Sequence, residues 1–76
     1  MSGRLHSVKA GDAIRALQRA GIVVSRTSGS HCRLVRFSDP VRHVTVPMHG
    51  GDLKLGTLRA IIRQAGFTVE EFNALL

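Results

Sequence analysis

The stretch "IVVSRTSGSHCRLVRFSDPVRHVTVP", Ile22 to Pro47, decides the fold. It holds three β-prone runs, Ile22 to Arg26, His31 to Phe37 and His43 to Val46, separated by "TSGS" and "SDPVR". Both separators carry Gly, Pro, Ser or Asp turn chemistry. The reading is an antiparallel meander of three strands, with Pro47 closing the third because it cannot donate a ladder hydrogen bond. Along the second run, alternation places Cys32 and Leu34 inward and His31 and Arg33 outward. Phe37 and Arg36 contradict that parity, which calls for a bulge, a twist, or a Phe37 packed at the sheet edge.

Outward from the meander the period changes. Ala13, Ile14, Leu17 and Ala20 fall at three- and four-residue spacings between Gly11 and Ala20, with Arg15, Gln18 and Arg19 on the other side. That is an amphipathic helix, and Gly21 is its C′ residue. After the loop "HGGD", Leu58, Ile61, Ile62 and Ala65 mark a second helix, with Thr57 as its N-cap and Gly66 as its stop. Thr68 and Glu71 have the spacing of a capping box and start a short last helix through Phe72 and Leu75. The order is α-β-β-β-α with a C-terminal extension, an α+β class. Two helices cover only one face of so small a sheet, so the other face stays in contact with water.

At 76 residues the chain reads as a single domain, residues 1–76, with a flexible polar start at 1–7. Its single cysteine, Cys32, cannot form an intramolecular disulfide, which fits a reducing cytosol. Cys32 itself reads as a small core residue. Apolar runs such as Ile22-Val23-Val24 are too short for a signal peptide or a membrane span, so a cytoplasmic protein with no membrane partner is expected. Eleven Lys and Arg against five Asp and Glu give a formal charge of +6. Such a surface attracts polyanions, whether nucleic acid or an acidic protein.

The runs "AGIVVSRTSGSHCRLVR" and "VTVPMHGGDLKLGTLRAIIRQAGFTVEEF" resemble the HicA (YcfA-like) family, small mRNA interferases of bacterial type II toxin–antitoxin systems. The likeness runs from about Val8 to Phe72. It implies a double-stranded-RNA-binding-like α-β-β-β-α fold, an endoribonuclease activity on mRNA, and a HicB-like antitoxin partner. The histidine of the family's Gly-Ser-His motif falls on His31, which the resemblance makes catalytic. Where Cys32 stands the family often has a second histidine, and where Ile22 stands an aromatic residue.

The chemistry of RNA cleavage, argued without the family, shows what a histidine in that role has to do, although a single histidine at a strand end is by itself more often solvated than catalytic. RNA carries its own nucleophile, the 2′-OH, so the protein need supply only a proton acceptor, a proton donor and stabilisation of charge on phosphorus. Histidine ordinarily titrates at about pH 6.5 and suits both proton transfers. Gly29 lets the backbone approach a phosphate, and the N–H groups and hydroxyl around Ser30 can hold one. Arg33, on the same side as His31, offers a guanidinium, and Lys54 a further phosphate contact. His49 stands as a second acid or base, a phosphate contact or a turn residue, with the turn favoured. No acidic cluster for two-metal hydrolysis is visible, and His31, Cys32, His43 and His49 lack zinc-ligand spacing. A metal-independent enzyme without a cofactor is expected. The alternatives are a non-catalytic RNA-binding module, or a degenerate toxin that only binds its antitoxin.

Overall fold

The structure, a computed structural model, describes residues 4–76. Its order is α1 (Ala10–Arg19), β1 (Val23–Ser28), β2 (His31–Arg36), β3 (Arg42–Pro47), α2 (Leu55–Ala65) and α3 (Val69–Asn73). The strands form one antiparallel sheet in the order β1-β2-β3. Sheet and helices make a slab 18 Å in its shortest dimension, and the α+β meander read from the sequence is the fold observed.

Between the layers lies a core of aliphatic side chains with one aromatic, Phe72. From the sheet come Cys32, Leu34, Val44 and Val46; from the helices come Ala13, Ala16, Leu17, Leu58, Ile61, Ile62 and Ala65. Each set has the period of its element, two for the strands and three to four for the helices. Ile22, where the family often has an aromatic residue, is 1% exposed and fills the core between α1 and β1. No polar or charged residue is buried among the described residues, so the interior is close-packed hydrocarbon plus one thiol.

The helix signals hold with one correction. Gly21 (φ 84°) follows the C-cap of α1, and Gly66 (φ 82°) ends α2 in the left-handed conformation. Thr68 and Glu71 form the capping box of α3: the Glu71 N–H donates to Thr68 Oγ1 at 3.1 Å and the Thr68 N–H to Glu71 Oε1 at 2.8 Å. The N-cap of α2, however, is Lys54, and Thr57 lies inside the first turn. The tie that sets this start is tertiary: the Leu53 N–H donates to Val8 O at 2.8 Å, Lys9 bridges Asp52, and Leu53 is buried. The chain can turn into the helix as soon as Leu53 is anchored.

The N-terminal segment, expected to be flexible over residues 1–7, makes defined contacts from Arg4 onward. Leu5 packs against the core and Asn73 Nδ2 donates to Arg4 O at 2.8 Å. Residues 1–3 lie outside the described residues.

Candidate functional site

β1 continues past Arg26 to Ser28, so the first half of "TSGS" is strand. Only Gly29 and Ser30 form the turn, between the paired residues Ser28 and His31. Gly29 has φ 58° and Ser30 a negative φ, the signature of a type II′ hairpin, whose twist matches that of the strands it joins. A side chain at Gly29 would meet no steric neighbour, so its glycine is required by φ alone. The tight turn makes His31 the first residue of β2.

β2 then alternates without a break. Its register against β3 runs unbroken from His31↔Pro47 to Arg36↔Arg42. Cys32 and Leu34 are buried, while His31 and Arg33 are exposed on the opposite face. At the end of the run neither a bulge in β2 nor a Phe37 packed at the sheet edge accounts for the conflict. Arg36 keeps the inward parity and still avoids a buried charge, because it reaches the edge of the core. Its guanidinium donates to Ala65 O at 2.6 Å and stacks 4.4 Å from the centroid of Phe67. Phe37 lies beyond the strand, 77% exposed, and packs at no edge.

The bulge is in β1. Val24 faces Leu34, but Arg26 faces Arg33, so Ser25 is the extra residue. Its hydroxyl donates to Arg33 O at 3.2 Å. One inserted residue moves everything after it to the other face, and here it carries Arg26 from the helix side to the solvent side. The outer face of the hairpin therefore holds His31 opposite Ser28 and Arg33 opposite Arg26. Two like charges directly across an antiparallel pair repel. The sole ion pair among the described residues, Arg15 with Asp12, lies on α1, so neither hairpin arginine is neutralised by a carboxylate. Arg26 is a residue that sequence reading missed, because the bulge that exposes it is silent in the pattern "VVSRT".

Of the expected site residues, Gly29, Ser30, His31 and Arg33 come together on this hairpin. Ser30 is tied to the end of β3 through its carbonyl, which accepts from the Met48 N–H at 2.5 Å; the residue is exposed. Lys54 is exposed but stands apart, at the N-cap of α2 beyond the loop that follows β3. Neither α1 nor α2 has a side chain capping its first N–H groups; Lys9 and Lys54 occupy the two N-cap positions. His49 Nδ1 lies 3.0 Å from Gly50 O, a contact within the loop.

Cys32 and His31 occupy opposite faces of one strand, so they cannot bind one ion together. Among the described residues no three His, Cys, Asp or Glu side chains gather into a metal-binding group. No helix of the described residues is long and apolar enough to cross a membrane.

A family model described as the HicA toxin of bacterial toxin–antitoxin systems matches residues 10–67, from the first residue of α1 to the turn after α2. The chain belongs to the HicA toxin family. Membership accounts for the hairpin, the three strands and both long helices of the toxin as one unit, and a toxin of such a system implies an antitoxin. No curated protein matches the chain.

Proposed function

We propose that this toxin is a cytoplasmic endoribonuclease that cleaves mRNA with His31 as its acid–base residue, and that a HicB-like antitoxin neutralises it. The observation that carries the reading is the composition of one face: an exposed histidine at a strand start, beside a left-handed glycine turn, with Arg33 and Arg26 unpaired next to it. A fold gains nothing from cross-strand arginines without a counter-charge. A polyanion supplies that counter-charge, and RNA is the polyanion a histidine can cut.

In the proposed reaction the imidazole accepts the proton of a 2′-OH as that oxygen attacks the adjacent phosphorus. The imidazolium then returns a proton to the departing 5′-oxygen. The products are a 2′,3′-cyclic phosphate and a 5′-hydroxyl, and atoms and charge balance without a cofactor. Arg33 meets the charge that builds on the non-bridging oxygens, while Gly29 and Ser30 let the backbone approach a neighbouring phosphate. Lys54 and Arg26 hold flanking phosphates.

His31→Ala tests this. General acid–base catalysis contributes about 10²- to 10⁴-fold, so cleavage of a labelled RNA should fall by that much. The melting temperature should stay close to wild type, since an exposed side chain adds little to packing. Full activity in the variant would overturn the assignment, and loss of activity through unfolding would leave the residue structural.

For the antitoxin, the simplest inhibition occupies the same face, which excludes RNA and cancels the charge that attracts it. Binding to so small a fold also stabilises it by mass action. Hydrogen exchange of the complex should show protection across residues 26–33, and RNA should compete with the antitoxin. A footprint confined to the helices, with RNA still bound, would refute the steric scheme.

A further inference from the structure

The helix layer carries a second basic surface that the hairpin chemistry does not use. Arg59 and Arg63 stand one turn apart on α2, which contains no acidic residue. Like charges at i, i+4 repel and weaken a helix. Arg63, in the last turn, is compensated by the helix dipole, but Arg59 at mid-helix is not. Both are exposed and neither takes part in the ion pair of the described residues.

Beside them runs a groove of about 300 Å³ whose remaining walls are Ile62, Phe67, Thr68 and Val69. Ile62 is buried, while Phe67 and Val69 are half-buried and pack against the core. The groove thus has an apolar floor and two guanidinium groups on its α2 side. The carboxylates nearest in sequence, Glu70 and Glu71, belong to α3, and Glu71 is committed to the capping box. No hairpin residue lines it. The end of α2 lies over Arg36 and Arg42: Arg36 donates to Ala65 O, and a Cβ at Gly66 would clash with the Arg42 side chain. These arginines are five residues along β2 and β3 from His31 and Pro47, about 17 Å at roughly 3.3 Å per residue.

We propose that this groove docks an acidic segment of a partner protein, with one apolar side chain seated on Ile62, Phe67 and Val69 and carboxylates on Arg59 and Arg63. Charge complementarity selects the acidic character, and bidentate pairing suits arginine to carboxylate. The floor selects peptide over nucleic acid. Single-stranded RNA on a basic groove gains much from aromatic faces on which its bases stack, and Phe67, the aromatic residue of this groove, already has one ring face covered by Arg36. The inference holds whether or not His31 cleaves RNA, since the two surfaces share no residue.

The test uses the full chain labelled with ¹⁵N and two probes: a blocked peptide of Asp and Glu around a central Leu, and a 2′-O-methyl RNA that cannot be cleaved. The peptide should shift amides of residues 59–69 and leave residues 28–33 unmoved. Replacing its Leu by Ser should weaken binding at least tenfold, as should Arg59→Glu with Arg63→Glu in the protein. Equal binding of the Ser peptide would mean general charge attraction and would overturn the proposal. So would RNA shifting residues 59–69 and displacing the peptide, which would give the groove to RNA. Mapping on the unmodified chain decides the matter even if the double variant folds poorly.

Discussion

Arg33 and Arg36 sit three positions apart on the same strand and meet opposite fates. Arg36, on the helix side, gives its guanidinium to the Ala65 carbonyl and the Phe67 ring at the C-terminal end of α2, where the helix dipole favours a cation. Arg33, on the other face, has solvent around it and Arg26 opposite. The difference teaches that residue type does not assign an arginine to stability or to binding. Strand parity and what lies across the sheet assign it.

Substitution should break this comparison cleanly. The largest effect is expected for Arg36→Ala, which removes a charge-assisted hydrogen bond and a cation–π contact and should cost about 1–3 kcal/mol in urea unfolding. Arg33→Ala should change stability by less than about 0.5 kcal/mol. Equal losses in the two variants would mean that the hairpin arginine is structural after all.

A smaller effect of the opposite kind is expected in RNA binding. Arg33→Ala and Lys54→Ala should each weaken it and reduce the slope of log K against log salt by about one phosphate contact. Arg36→Ala, corrected for the folded fraction, should leave that slope alone. An unchanged slope in both the Arg33 and the Lys54 variant would move the RNA path elsewhere.

The smallest expected change is none. The proposed chemistry draws on an imidazole and guanidinium groups, so EDTA should leave the cleavage rate where it was. Loss of activity restored by Mg²⁺ or Zn²⁺ would replace the scheme with a metal-dependent one.

Much of the fold was legible because its signals are local. The period-two run around Cys32 and Leu34, the three-to-four spacing of Leu58, Ile61, Ile62 and Ala65, the glycines after both long helices and the Thr68–Glu71 box each depend on a few neighbouring residues. Gly29, Ser30, His31 and Arg33 were readable for the same reason: a tight turn keeps sequence neighbours together in space.

What escaped the sequence depends on contacts distant along the chain. The bulge at Ser25 is a property of two strands in register, and without it Arg26 would face the helices. The N-cap at Lys54 follows from Leu53 pairing with Val8, 45 positions earlier. The inward turn of Arg36 is tolerable only because the end of α2 arrives there with a free carbonyl and Phe67. The sequence by itself determined the elements, their order and the faces of β2, since side-chain period and turn chemistry act within a few residues. Only the tertiary structure decided which arginines are left facing water, because a guanidinium is satisfied or left free by groups that folding brings to it.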